Sequence, residues 1–269
     1  MSNKILKILK LIFFILIILL IIVIFFLFKK ISNNKTIRKE SRSSFIKEYK
    51  IDNIELLTFD FKNVEVNYLS TNNNKLVIKQ SGKSNNYLVH ETRTSNKLNI
   101  KEMSTNIFVK TSYKIYIPKT YINKINIING FNNIKIDNIN NDLLVDNNSG
   151  NVTIGKTNNI TVKNVSGNIS IKMTNTASIT STTGDIVIDN LLNSANIDTI
   201  TGDITINRFY LKNDSYLEST SGNIYIKLNK DSMCKLNVNS EVSDISKRVC
   251  LEGNNLLTVN NTTGEVQIK

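Results

Sequence analysis

The chain's only histidine, His90, lies in Tyr87-Leu88-Val89-His90-Glu91, where apolar and polar residues alternate. A general base needs a group that orients it within hydrogen-bond reach, and a single histidine on an alternating strand brings no such partner. It reads as an exposed or hydrogen-bonded strand residue. The stronger chemical candidate is acidic. Asp185 and Asp203 occupy the same slot in successive repeats, with Asp189 and Arg208 near them in sequence. Stacked acids binding a cation beside an arginine or lysine base would be polysaccharide-lyase chemistry. However, Asn151, Asn168 and Asn223 fill the same slot in other repeats, and either residue type serves a turn by bonding its own backbone. The slot therefore reads as a turn position first.

Other chemistries find no foothold. No Cys/His spacing suits zinc, and there is no Gly-x-Ser-x-Gly elbow or glycine-rich phosphate loop. Calcium-binding nonapeptide repeats need more Gly and Asp per turn than this chain carries. The expectation is a protein without catalytic residues, cofactor or metal. Two cysteines, Cys234 and Cys250, exclude a disulfide-dense scaffold. Joined, they would close a loop worth ~3 kcal/mol on the chain-entropy account; unjoined, they are two small buried hydrophobes. Both readings stand.

The elements that position these residues announce themselves by repetition. A phrase of hydroxyl residue, Gly, Asn/Asp/Glu, aliphatic, any residue, Ile recurs at Ser149–Ile154, Ser166–Ile171, Thr183–Ile188, Thr201–Ile206, Ser221–Ile226 and Thr263–Ile268. A period of roughly 17 to 21 residues marks a stacked repeat array. Two and four residues after each glycine stand aliphatic residues, such as Ile186 and Ile188. Five before stand Val145, Val162, Ile179, Ile197, Leu217 and Val259. Apolar residues two apart predict strands with one face buried, and β-branched side chains suit a pleated surface. Gly150, Gly167, Gly184, Gly202, Gly222 and Gly264 then fall at corners needing positive φ or close backbone approach. Stacking such turns buries aliphatic columns in a narrow core, each turn touching only its neighbours. The predicted fold is all-β: a parallel β-solenoid of about 7–8 turns over residues 123–269.

Two turns depart from the pattern. Asn132 takes the glycine slot of a degenerate first turn. Near 234–250, Ser243 replaces glycine, which would put Lys247 in an inward column. Arg208-Phe209-Tyr210-Leu211 interrupts a polar return, so Phe209 and Tyr210 form either a packed return loop or an exposed interaction patch. Ile268-Lys269 end inside a repeat strand, which predicts an open sheet edge at the C-terminal end, a site for self-association.

Upstream, residues 51–122 alternate in longer strands separated by turn-prone stretches such as Thr71-Asn72-Asn73-Asn74. They read as an antiparallel β lead-in that could cap the solenoid, with the only proline, Pro118, at a strand end. Residues 31–50 read as a charged linker. Leu11–Phe28 is an unbroken apolar run, extended by Ile8 and Leu9, so residues 1–30 read as a transmembrane helix, a signal anchor crossing the bilayer through residues 8–28. No small-residue cleavage site follows. Lys29, Lys30, Lys35, Arg38, Lys39 and Arg42 follow it, against Lys4, Lys7 and Lys10 before. That bias favours a cytoplasmic body, but long domains can cross despite it. The net charge of +12 comes partly from this juxtamembrane cluster. The remainder is scattered among abundant Lys, Asn and Ile, without the basic strip interleaved with aromatics that single-strand binders use, so nucleic acid is not an expected partner.

With Tyr116-Ile117-Pro118-Lys119 preceding the serial [Ser/Thr]-Gly-[Asn/Asp]-[Ile/Val]-x-Ile turns, residues 50 to 269 resemble the putative-adhesin β-strand-repeat proteins of the bacterial cell envelope. The resemblance implies a membrane-anchored, outward-facing, adhesin-like protein binding an envelope polymer or protein, and carries no catalytic residues with it. A cytoplasmic, membrane-tethered scaffold that polymerises end to end, as bactofilin-type proteins do, is the rival architecture; a β-helix lyase is the third.

Overall fold

The computed structural model describes residues 43–62, 64–82, 88–103, 111–245 and 253–269. The expected anchor, Cys250 and Lys247 lie outside them. The chain divides into two units, Met1–Ser41 and Arg42–Lys269. No helix among the described residues is long and apolar enough to cross a membrane.

Among the described residues every element is a strand. In chain order they are β1 (Ser43–Tyr49), β2 (Leu56–Phe61), β3 (Glu65–Thr71), β4 (Leu76–Gly82), β5 (Val89–Arg93), β6 (Lys97–Glu102) and β7 (Thr111–Pro118). Next come β8 (Lys124–Asn129), β9 (Ile134–Ile136), β10 (Leu143–Ser149), β11 (Val152–Lys156), β12 (Asn159–Ser166), β13 (Ile169–Thr183) and β14 (Ile186–Thr201). The last are β15 (Ile204–Phe209), β16 (Ser215–Ser221), β17 (Ile224–Leu228), β18 (Cys234–Asn239), β19 (Val242–Ile245), β20 (Asn255–Thr263) and β21 (Glu265–Ile268).

Each turn places one strand in each of two walls, before and after its glycine. In the first wall β2, β8, β10, β12, the second half of β13, the second half of β14 and β16 stack in parallel. In the second wall the stack is β3, β9, β11, the first halves of β13 and β14, β15 and β17. The aliphatic columns face inward and are buried, from Ile125 and Ile127 to Leu257 and Val259 in one wall and from Ile134 and Ile136 to Val266 and Ile268 in the other. Fully burying such a side chain contributes roughly 1.5–3 kcal/mol, so the columns supply the core of the described residues.

Three regions differ from the sequence expectation. Part of the expected linker is a strand: Ser43–Tyr49 runs antiparallel to β4. The lead-in is mixed rather than antiparallel. Antiparallel pairing joins β1 to β4, β4 to β7 and β5 to β6. By contrast, β2 runs parallel to β6 and β8, and β3 parallel to β7 and β9. Leu57 and Phe59 stand over Ile125 and Ile127, and Val66 and Tyr68 over Ile134 and Ile136, so the parallel stack starts at Leu56. The period-2 spacing is the same there, but with larger side chains, and β4 to β7 separate this turn from its stacking partner in sequence.

The third difference is the order of the final turns. β20 pairs with β16 on one side and β18 on the other, and β21 lies between β17 and β19. The C-terminal repeat is therefore interior, and the outermost turn is β18–β19. The repeat with a complete set of columns and Gly264 at its corner takes the inside place. Ser243 is not at the corner: it pairs with Val266 and Ile245 with Ile268, so this corner is shorter and Ile245 fills the column expected to receive Lys247.

Candidate recognition ridge at the glycine corners

The corner glycines adopt φ from 108 at Gly150 to 148 at Gly222, a region L-residues with a side chain rarely enter. Space forbids a side chain as well. A Cβ on Gly184 would stand 2.3 Å from the Gly167 carbonyl oxygen, and one on Gly202 would stand 2.2 Å from that of Gly184. The corners are thus packed backbone on backbone, turn over turn.

Three side-chain ladders flank them. One residue after the glycine slot, each side-chain oxygen accepts the backbone N–H of the same position on the next turn. Asn133 accepts from Asn151 (2.7 Å), Asn151 from Asn168 (2.9 Å) and Asn168 from Asp185 (3.0 Å). Asp185 accepts from Asp203 (3.0 Å), Asp203 from Asn223 (2.6 Å) and Asn223 from Glu265 (3.0 Å). A carbonyl or carboxylate oxygen does this equally, which is why Asn and Asp alternate freely in the slot.

Three residues before the slot runs a second ladder, buried and unforeseen: Asn129, Asn147, Asn164, Ser181, Thr199, Ser219 and Asn261. Asn129 Nδ2 donates to Asn147 Oδ1 and Asn147 Nδ2 to Asn164 Oδ1, each at 2.7 Å. Asn147 and Asn164 also donate to the carbonyls of their own corner glycines, at 2.8 Å and 2.7 Å. Most buried amides are hydrogen-bonded, and here the bonds clamp the corner. The ladder weakens along the stack: Thr199 Oγ1 and both amide atoms of Asn261 have no partner. The sequence did carry the signal, a small polar residue at the same offset in every turn.

The third ladder faces solvent. Immediately before the glycines, Ser149, Ser166, Thr183, Thr201, Ser221 and Thr263 lie in register across adjacent strands. All are exposed except the half-buried Ser149, and none spends its hydroxyl on another side chain. Strands in a ladder are spaced about 4.8 Å apart, so the ridge offers a regular row of donors and acceptors, flanked by the free amide or carboxylate atoms of the Asn/Asp ladder.

The other sequence candidates fall in separate places. Asp189 accepts from Asn207 Nδ2 at 2.9 Å, and Arg208 donates to Asn190 Oδ1 at 3.2 Å; with Asp185 and Asp203 committed to corner bonds, each of these four has its own local partner. His90 is exposed on β5. Among the described residues no group of three or more His, Cys, Asp or Glu could hold a metal ion. Phe209 is fully buried, stacked between Leu191 and Leu228, and Tyr210 is half-buried. The pair is therefore a packed return rather than an exposed patch, because the column it occupies turns apolar there. Cys234 is buried and disulfide-bonded. On the outer face of the first wall, Tyr216 donates to Glu218 and accepts from Asn260 Nδ2 at 3.0 Å. The bond to Glu218, with lesser effects of burial and of Asp198, raises the Tyr216 phenol above its ordinary range.

A two-walled β-repeat stack with glycine corners defines the class, and sequence comparison gives the family. The chain belongs to the Toastrack DUF4097 family, which matches residues 33–269. No curated protein matches it in sequence. Its fold is similar to the crystal structure of a "putative lipid binding protein" from Parabacteroides distasonis (TM-score 0.55, 14% identity, covering 84% of this chain and 97% of that one). A "putative adhesin" from Bacteroides fragilis is similar in the same way (TM-score 0.50, 15% identity, 86% and 99% covered). At these identities the likeness is one of fold.

Proposed function

We propose that this is a non-enzymatic, membrane-anchored cell-envelope protein whose adhesin-like recognition runs along the corner ridge. The observation that carries the reading is the row of in-register hydroxyls from Ser149 to Thr263, which lacks side-chain partners of its own. A rigid array at regular spacing suits a polar polymer or an extended protein segment, because successive contacts add without further ordering cost on the protein side. The apolar run Leu11–Phe28 supplies the anchor, and the body is assigned to the outside of the membrane.

The test is binding of the purified full chain to isolated envelope polysaccharide, comparing it with a variant carrying Ser166→Ala, Thr183→Val and Thr201→Val. The reading expects at least about tenfold weaker binding by the variant; equal binding sinks it. A second reading is favoured by the basic residues after the apolar run, Lys29 to Arg42: a cytoplasmic, membrane-tethered scaffold. Protease shaving of intact cells carrying a C-terminally tagged chain separates the two. Loss of the tag supports the outside, and protection until lysis supports the scaffold.

A further inference from the structure

A basic strip crosses the outer face of the second wall and of β7 and β4, the strands that extend it. Register sets Lys79 on β4 beside Lys114 on β7, and Lys114 beside Asn67 on β3. Asn67 stands beside Lys135 on β9, Lys135 beside Thr153 on β11, and Thr153 beside Ser170 on β13. Lys172, two residues after Ser170, lies on the same side of its strand. At about 4.8 Å between strands, the strip runs about 24 Å across these six. Lys114, Lys135 and Lys172 are exposed and Lys79 is half-buried. Among the described residues none of the four is ion-paired. No acid interrupts the row from Lys79 to Ser170. The acids that flank it are Glu48, paired with Lys75, Glu65, which accepts from Asn67 Nδ2 at 3.4 Å, Asp137, and Asp189, bonded to Asn207. Toward β13 the face is hollow. Gly155 brings no side chain, and a Cβ there would stand 2.5 Å from Asn138 Oδ1. Lys135, Thr153, Ser170 and Lys172 surround a recess of about 460 Å³ above it, with half-buried Leu69 as an apolar side. Asp137 and Asp189 also line it.

We propose that this face binds a linear polyanion, a polymer whose repeats carry phosphate or carboxylate groups. Three observations commit the occupant. The lysines follow one another across the strands without acids of their own, so their charge is complementary to a chain of anions. The strip is long and narrow, which suits an extended polymer and not a compact anion. The recess gives the polymer's uncharged linkage a place, with the hydroxyls of Thr153 and Ser170 on one side and Leu69 on another. Charge along the chain agrees: from residue 125 on there are fourteen Asp and Glu against twelve Lys and Arg, so the net +12 arises before the repeats, on the side where the strip begins. Exposed charges contribute little singly. The array acts through its summed field, which salt screens. The strip lies on the wall and not at the corners, so the proposal does not depend on the hydroxyl ridge.

The experiment is titration calorimetry of the full chain in neutral detergent micelles with poly(glycerol phosphate), polygalacturonate and uncharged dextran, at low and high ionic strength. A strip variant, Lys114→Gln with Lys135→Gln and Lys172→Gln, is set against a control of equal net charge, Lys163→Gln with Lys212→Gln and Lys235→Gln. The control lysines are exposed away from this face, and circular dichroism checks that both variants are folded. The basic cluster from Lys29 to Arg42 is present in every chain, so its contribution cancels. The proposal expects the wild-type chain to bind at least one polyanion more tightly than dextran, and the strip variant to bind it about tenfold or more weakly at low salt. The control should be little changed, and high salt should remove the difference. Preference between the two polymers tells phosphate from carboxylate. Equal weakening in both variants would mean that net charge alone is read, and overturns the proposal. So does a strip variant that binds like the wild type, or a wild-type chain that binds neither polymer. Tighter binding of a single-stranded oligonucleotide than of either polymer assigns the face to another partner and overturns it too. The ridge variant Ser166→Ala, Thr183→Val, Thr201→Val should keep its polyanion binding, which separates failure here from failure of the ridge reading.

Discussion

Among the described residues the two ends of the stack differ in pairing: antiparallel strands finish the β1/β5 end, and a parallel turn finishes the β18/β19 end. At the β1/β5 end β6 and β7 cover the turn of Leu57, Phe59, Val66 and Tyr68, all buried, with the Phe59 and Tyr68 rings edge to face at 5.4 Å. At the β18/β19 end the outermost turn has no corner glycine, a shortened corner and an unpaired amide, Asn261, beneath it. What differs is the strand pairing as well as the completeness of the columns and corner ladders. Parallel pairing carries the repeat through the interior, and antiparallel strands replace it at the β1/β5 end.

The contrast can be tested by substitution, and the largest effect belongs in the β2/β3 turn. Phe59→Ala removes a fully buried ring and is expected to cost about 3–5 kcal/mol in urea unfolding. Gly202→Ala strikes the interior, where φ is 139 and the new Cβ lies 2.2 Å from a backbone oxygen; a loss of about 3 kcal/mol is expected. Asn147→Ala opens the buried ladder between Asn129 and Asn164, and should cost about 1–3 kcal/mol by leaving those amides underbonded. Ile245→Ala, in the same column as Ile268 but 38% exposed, should cost no more than about 1 kcal/mol, since the side chain is only partly removed from water. An Ile245→Ala loss as large as that of Phe59→Ala would erase the distinction between the ends.

The sequence was most legible where residues repeat. Spacing alone placed the corner glycines, the four aliphatic columns and the Asn/Asp slot, since a period of two and a fixed turn chemistry leave little choice. It was least legible where the question was which turn lies beside which. Ser215, Leu217 and their neighbours could stack on Leu236 and Val238 or on Leu257 and Val259, because a repeat's inner face carries no address. The same ambiguity hid the parallel pairing of β2 and β3, which hairpin-like turns made look antiparallel. The buried Asn/Ser/Thr ladder was visible as an offset but not as a burial, because polar residues beside a turn ordinarily face water.

The most direct test of this account is the strand order at the β18/β19 end, by cysteine-pair cross-linking mapped by mass spectrometry. Glu218 stands beside Asn260, and Asn260 stands beside Asn239. With β20 between β16 and β18, Glu218→Cys joins Asn260→Cys but not Asn239→Cys, because only adjacent strands bring Cα atoms within about 7 Å. A disulfide between positions 218 and 239, with none between 218 and 260, would mean that the turns stack in chain order and that the C-terminal repeat is the true end.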